Sequence, residues 1–163
     1  MLGLDPGPTH SAIVLYANAR ILEHHYGENV VIRELVRQYG LMNGLMNRDV
    51  TYDWYRQLTI EEMQSYGMTA GRSMFQTCVA AGRFAELWYA TTGREALWLP
   101  RVQVKVRLCG VARANDKDIR EELIHRLGSP GTKKNPGPTY GLTGDKWAAL
   151  AIAVAAGLEG PTP

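Results

Sequence analysis

The chain has 163 residues, of which 18 are Lys or Arg and 16 are Asp or Glu, and its formal net charge is +2. This length fits one domain, to which we assign residues 1–158, followed by a short tail at residues 159–163. Two cysteines without a C-x-x-C partner exclude a disulfide framework and a cysteine zinc site, and no apolar run reaches the roughly 18 residues of a membrane span. We therefore expect a cytoplasmic protein with no membrane partner.

Positive charge is concentrated in one third of the chain. Residues 101–134 hold nine Lys or Arg against four Asp or Glu, whereas the rest of the chain holds nine against twelve. Lys and Arg make most protein contacts to phosphate, so this stretch indicates a polyanionic partner, with nucleic acid first. On charge alone, a solvated helix face followed by a loop explains the stretch equally well.

The first sixty residues read mainly as strands. Apolar patterning and turn-forming residues predict three strands and a helix, at residues 1–5, 11–17, 20–26 and 30–39. The tandem duplication "GLMNGLMN" at 40–47 predicts a loop or a frayed helix end. A fourth strand is predicted within residues 51–61, which are rich in aromatic and β-branched side chains.

The longest predicted helix covers residues 69–91. Its predicted packing face is a stripe at spacings of three and four, made of Met74, Cys78, Ala81, Ala85 and Trp88. A core helix and a dimer interface both fit such a stripe. The remaining predicted elements are a strand at 96–99, a helix at 116–127, a Pro/Gly/Lys-rich loop of low order at 128–141, and a strongly apolar helix that begins at residue 145.

This order of elements predicts an α/β domain in which an antiparallel meander leads into parallel strand pairs. A mixed five-stranded sheet flanked by helices, as in the ribonuclease H-like proteins, has this order. Periodicity alone does not select that sheet over other α/β folds.

Three acidic residues stand at the ends of predicted elements. Asp5 ends the first strand, Glu61 ends the fourth, and Asp145 opens the last helix, at separations of 56 and 84 residues. Because strand carboxyl ends and helix N-termini meet at one edge of an α/β sheet, we expect the three carboxylates to converge there. Clustered carboxylates repel one another unless a cation neutralises them. Oxygen-only ligands suit Mg²⁺, and two such ions promote in-line phosphodiester hydrolysis.

Each of these acids also has a simpler explanation. Asp5 precedes Pro-Gly and is of the type that shapes turns, Glu61 fits a solvated strand end, and Asp145 fits a helix N-cap. Their combined position at three element ends favours the metal site.

The motifs resemble those of the RuvC-type Holliday junction resolvases, and the resemblance covers roughly residues 2–157. "GLDPGPTHSAIVLY" is similar to that family's first strand and turn, "IEEMQ" to its second motif, and "DKWAALAIAVA" to its last helix. "PRVQVKVRLCGVARANDKDIREELIHRL" is similar to the segment that carries two lysines acting on DNA. The motifs occur in the family's order.

The resemblance implies an endonuclease that cuts four-way DNA junctions as a homodimer. It places Asp5, Glu61 and Asp145 at two Mg²⁺ ions, for which Mn²⁺ substitutes, and gives Lys105 and Lys117 a catalytic role on phosphate. It places the dimer contact on the helix at 69–91. It also places a junction-entering loop after Glu61. The candidate DNA contacts are Lys105, Arg107, Arg113, Lys117, Tyr66, Phe75, Lys133 and Lys134.

One position departs from the family pattern. A second aspartate is expected three residues after Asp145, but Ala148 stands there before Ala-Leu-Ala. Water or another acid, such as Asp116 or Asp118, would have to complete the site. Two alternatives therefore stay open, a ribonuclease H-like nuclease acting on RNA–DNA hybrids or flaps, and a junction-binding protein with weak catalysis. An actin-like or sugar-kinase fold would need a second phosphate loop and a longer chain.

Overall fold

The computed structural model describes residues 1–46, 57–65, 67 and 69–158. Five strands form one sheet in the order β3-β2-β1-β4-β5. The strands are β1 (Leu2–Asp5), β2 (His10–Ala17), β3 (Arg20–Glu28), β4 (Leu58–Glu62) and β5 (Leu97–Pro100). The helices of the described residues are α1 (Asn29–Met46), α2 (Arg72–Thr92), α3 (Arg101–Cys109), α4 (Asp116–Leu127) and α5 (Lys146–Gly157).

The sheet is mixed, as the sequence predicts. The first three strands pair antiparallel, whereas β1 pairs parallel with β4 and β4 pairs parallel with β5. The predicted fold class, an α/β domain with a mixed five-stranded sheet flanked by helices, is confirmed. Each helix in the part of the chain that the structure describes is too short or too polar to span a bilayer.

Helices cover both faces of the sheet and enclose two hydrophobic cores. Leu2, Leu4 and Ile60 pack with buried residues of α1 and α2 on one face. On the other face, Ala12 and Val14 pack with buried residues of α3, α4 and α5. The alternation of side chains along β1 and β2 therefore assigns each residue to one of the two cores.

The central strand β1 lies very close to α5. A Cβ atom at Gly3 would collide with the carbonyl oxygen of Ala149 and would lie 2.6 Å from the amide nitrogen of Ala153. Only a residue without a side chain permits this approach, because any Cβ would push the helix away from the sheet.

Four elements differ from the sequence-based expectation. The helix α1 continues through most of the duplicated segment to Met46, and Asn47 lies outside the described residues. The buried face of α2 agrees with the predicted stripe only in part, since Ala81 and Trp88 are buried but Cys78 is exposed. The large Phe84, buried in the core with Trp88, sets the rotation of that helix, and its buried residues are Thr77, Ala80, Ala81, Phe84 and Trp88.

The segment after α4 is more ordered than its composition indicates. Residues Gly131 and Pro136 form an antiparallel bridge, and Thr132 and Asn135 exchange backbone hydrogen bonds of 3.0 and 3.1 Å. The sequence also assigns no element to residues 101–109, which form α3. Valine and leucine alternate with polar residues there, a strand-like pattern, yet Val104 and Leu108 are buried on one helical face.

A substitution at Gly3 tests the contact between β1 and α5. We expect Gly3→Val to lower the free energy of unfolding by about 1–3 kcal/mol, because overpacking displaces the helix. The matched control is Gly27→Val in β3, where no atom of the described residues lies within 4 Å of the added Cβ. Urea denaturation of both variants measures the difference, and equal stability of the two would contradict the contact.

Candidate active site

The strand register brings two of the predicted acids to the same edge of the sheet. Leu4 pairs with Ile60 in the parallel ladder, so the next residues, Asp5 and Glu61, stand side by side at the carboxyl ends of β1 and β4. On the far side of β4, Glu61 pairs with Leu99 of β5. Arg101, which opens α3 directly after β5, therefore enters the same edge.

The third acid comes from the helix that packs on β1. Asp145 immediately precedes α5, and its backbone carbonyl accepts a hydrogen bond of 2.9 Å from the amide of Ala149. Its side chain makes no cap hydrogen bond to the helix. The structure therefore does not support Asp145 as a side-chain cap of the helix. Its side chain is exposed and can contact a ligand.

Asp5 does not form the turn that follows it. The amide of Gly7 donates to Ser11 Oγ at 3.2 Å, and Asn29 Nδ2 donates to the carbonyl of Gly7 at 3.0 Å. Ser11 Oγ in turn donates to Asn29 Oδ1 at 2.6 Å. These contacts from β2 and α1 hold the turn, so the turn-forming explanation of Asp5 is not needed.

The carboxyl group of Asp5 is half-buried and has other carboxylates as neighbours. Its pKa is raised to about 7, first by burial and then by the negative charges of Glu61 and Asp145, whereas the Arg101 guanidinium acts in the opposite direction. The charge of Asp116 adds a smaller upward shift. An acid with these neighbours gains a proton near neutral pH or requires a cation beside it.

Arg101 forms ion pairs with two of the acids at this edge of the sheet. Its Nη1 lies 3.4 Å from Glu61 Oε2 and its Nη2 lies 2.5 Å from Asp116 Oδ1. The side chains of Glu61 and Arg101 are only 12% and 22% exposed, whereas that of Asp116 is 84% exposed. Burial raises the pKa of Glu61, and Arg101 opposes this shift. We call Asp5, Glu61, Asp116 and Asp145 the acid cluster.

The sequence-based site did not include Arg101. Its position in the sequence could have identified it, because Arg101 directly follows a predicted strand. Such a residue lies at the same sheet edge as the acids that end neighbouring strands. From the sequence, Asp116 is a charge at the N-terminus of a helix or a substitute for the carboxylate absent at Ala148. The structure instead shows its carboxylate in an ion pair with Arg101.

A cavity of about 260 Å³ opens at the position of the absent carboxylate. Its walls include Arg101, Asp116, Asp145 and Ala148. A second cavity of about 240 Å³ is lined by Arg101, Val102, Lys105 and Ala112. Arg101 therefore borders both a cavity with acidic walls and a cavity with a second cation in its wall.

The predicted DNA contacts fall in several places. Lys105 lies near Glu61, whose pKa it lowers, and Lys117 follows Asp116 and pairs with Glu121 at 3.7 Å. Arg107 donates to the carbonyl of Ala155 at 3.2 Å, at the far end of α5. The remaining described candidates, Arg113, Lys133, Lys134 and Phe75, are exposed. Tyr66 lies outside the described residues.

The donor chemistry of the acid cluster fits a hard divalent cation. Carboxylate oxygens are the ligands that Mg²⁺ prefers, and this ion is commonly held by one or two carboxylates with water in its other positions. Within residues 1–46, 57–65, 67 and 69–158, however, no group of three or more His, Cys, Asp or Glu side chains is arranged so that it could hold a metal ion. The ion pair between Glu61 and Arg101 already engages one of the predicted ligands.

No family model and no curated protein sequence matches the chain. Two solved structures of Thermus thermophilus RuvC do match it. RuvC alone has 19% sequence identity and a TM-score of 0.61, over 94% of this chain and 90% of that one. RuvC in complex with a Holliday junction substrate has 17% identity and a TM-score of 0.66, over 96% and 92%. This chain therefore has a RuvC-type fold.

Proposed function

We propose that this protein is a structure-selective, divalent-metal-dependent endonuclease that hydrolyses phosphodiester bonds in four-way junction DNA. The observation that carries the proposal is the half-buried carboxyl group of Asp5 at the end of the central strand, with Glu61 and Asp145 as charged neighbours. The fold is shared with a RuvC structure that holds a Holliday junction substrate. Asp5, Glu61 and Asp145 would hold Mg²⁺, with Mn²⁺ as a substitute; the second ion expected from the sequence stays a prediction.

A bound divalent cation would lower the pKa of the attacking water and stabilise the negative charge that develops on the leaving 3′ oxygen. The residues of the chain prepare this chemistry. Asp5 would hold the cation as a carboxylate, and a bound cation would favour loss of the proton that the raised pKa of about 7 otherwise retains. Lys105, whose charge acts on Glu61, and Lys117, which follows Asp116 in the chain and is exposed, would neutralise the charge of DNA phosphates.

A homodimer is part of the proposal because a four-way junction presents two scissile strands with near-twofold symmetry. The exposed side of α2 carries large apolar side chains, with Phe75 61% and Val79 55% exposed. A groove of about 760 Å³ runs between this side and the start of α1, and it is lined by Val30, Arg33, Arg72, Phe75, Val79 and Arg83 among others. Its apolar floor and basic rim suit contact with both a second subunit and DNA.

A second candidate is a junction-binding protein with weak turnover. It is favoured by Ala148, which lacks the expected carboxylate, and by the ion pair that engages Glu61. Both candidates predict binding to a four-way junction in preference to linear duplex. They differ in whether Mg²⁺ or Mn²⁺ brings about strand cleavage.

The central prediction concerns Asp5. We expect the wild-type protein to cut a synthetic four-way junction in Mg²⁺, and Asp5→Asn to lose cleavage by several orders of magnitude while it retains junction binding. The amide keeps the shape of the side chain but removes the charge that holds the cation. Gel assays of cleavage and of binding in Ca²⁺ measure the two properties.

The matched control for this experiment is Glu95→Gln. Glu95 lies before β5 at the opposite, amino-terminal edge of the sheet, and its side chain is exposed. This variant should cut at the wild-type rate. Normal cleavage by Asp5→Asn would remove the proposed site, and binding without turnover by the wild-type protein would establish the second candidate.

A second prediction follows from the pKa of Asp5. The ordinary value is 3.8 and the folded value is about 7, so the fold favours the protonated form. Below about pH 4, Asp5 is protonated in both the folded and the unfolded chain, so it does not lower the free energy of unfolding. As the pH rises to 7, ionisation of Asp5 lowers the free energy of unfolding, by up to about 4 kcal/mol above that pH. In the presence of EDTA, Asp5→Asn should raise the free energy of unfolding at pH 8 and change it little at pH 4.

Urea denaturation of wild type and variant at the two pH values measures this difference. The control Glu95→Gln should change the free energy of unfolding only slightly, and by the same amount at pH 4 and at pH 8. A stabilisation by Asp5→Asn that is the same at pH 4 and pH 8 would contradict the buried charge.

A third prediction concerns the groove on α2. If Phe75 stacks on a base at the junction centre, Phe75→Ala should lower the preference for junction over linear duplex by about 5- to 100-fold, since base stacking contributes about 1–3 kcal/mol. Val79→Ala removes an apolar side chain from the same groove without a stacking ring. A loss of preference in the Val79 variant as large as in the Phe75 variant, with a weaker dimer in ultracentrifugation, would instead assign the groove to subunit contact.

A further inference from the structure

The charge around Arg101 raises the question of how many cations the site holds. Three carboxylates are predicted to hold two Mg²⁺ ions, and a fourth is absent at Ala148. The structure places a guanidinium between Glu61 and Asp116, in two ion pairs. Arginine stays protonated at every pH at which proteins fold, so this positive charge is permanent.

Arg101 lies where a second ion would need its ligands. It borders the cavity of about 260 Å³ that contains the position of the absent carboxylate, together with Asp145 and Ala148. It also contacts Glu61, whose side chain is 12% exposed. A ligand that already pairs with a shielded guanidinium is less available to a second metal ion, because the two cations compete for the same oxygen atoms.

The net charge of the site supports the same conclusion. Asp5, Glu61 and Asp145, the three proposed ligands, contribute three negative charges and Arg101 contributes one positive charge, while the exposed Asp116 is screened by water. One divalent ion together with Arg101 therefore already balances the three ligands. Two ions would leave an excess of two positive charges beside Arg101.

We propose that Arg101 supplies the second positive group of the site, so that this chain holds one divalent ion together with a fixed guanidinium. The inference rests on the proposed function, because it specifies how that same site neutralises the phosphate. Arg101 contributes the charge of the second cation. Its planar fork of N–H donors is suited to the oxygen atoms of a phosphate once DNA displaces the exposed Asp116.

The test is the number of Mn²⁺ ions bound per chain, measured by isothermal titration calorimetry and by the electron paramagnetic resonance signal of free Mn²⁺. We expect one ion for the wild-type protein and one for Arg101→Lys, which retains the charge. The double variant Arg101→Ala, Ala148→Asp should bind two, because Glu61 is released and the absent carboxylate is restored. Ala148→Asp alone should still bind one, since Arg101 continues to engage Glu61.

The control is Arg20→Ala, which removes an exposed arginine at the start of β3, an edge strand of the sheet on the opposite side of β1 from β4. It should bind one ion, and thermal unfolding confirms that each variant is folded. Two ions bound by the wild-type protein, none bound by it, or one bound by the double variant would each overturn the inference.

Junction cleavage measured on the same samples separates this inference from the proposed function. Cleavage by a wild-type protein that holds two ions would overturn the role of Arg101 and leave the nuclease intact. One bound ion, with two in the double variant and no cleavage by the wild type, would support the charge arrangement and overturn the nuclease. In an active protein, Arg101→Ala should lower the cleavage rate by about 10²- to 10³-fold, as removal of one charge-stabilising donor does.

Discussion

The close packing of α5 against β1 at Gly3 is the constraint on which the candidate site depends. The backbone of Ala149 occupies the space of a side chain at that position, so the start of the helix is fixed relative to the central strand. The parallel register of β1 and β4 fixes Glu61 beside Asp5 in the same way. The acids are therefore brought together by backbone packing and not by contacts with one another, which their mutual repulsion opposes.

The cost of this arrangement falls on the two hydrophobic cores. Asp5 continues a strand whose Leu2 and Leu4 are fully buried, and its own carboxyl group has a pKa raised to about 7 by burial and by its neighbours. Charged groups in such surroundings lower the free energy of unfolding unless a cation neutralises them, so packing of the cores must compensate for this loss. A ligand that binds only the folded protein would restore part of the lost stability.

Features that depend on the local sequence were predicted accurately, whereas features that depend on packing between distant elements were not. The helix at residues 116–127 is found with the predicted bounds, because Asn115 caps its first turn in a capping box with Asp118 and Gly128 follows its end. The sequence assigns no element to residues 101–109, where apolar and polar residues alternate as in a strand, and packing of Val104 and Leu108 with buried residues of α4 and α5 selects a helix. The positions of Asp5, Glu61 and Asp145 were inferred from element ends, but the pairing of Arg101 with Glu61 depends on side-chain directions that no local pattern encodes.

The cap of α4 also explains why Asp116 is available to Arg101. Asn115 accepts hydrogen bonds of 2.8 and 3.1 Å from the amides of Lys117 and Asp118, so the helix end needs no carboxylate from Asp116. Ala148 in place of the expected carboxylate and the guanidinium of Arg101 both make the site more positive. The guanidinium differs from a bound ion because it is covalently attached and does not dissociate. Affinity for phosphate at this edge of the sheet would then persist without metal, while the divalent ion, whose binding requires deprotonated Asp5, would control the chemical step.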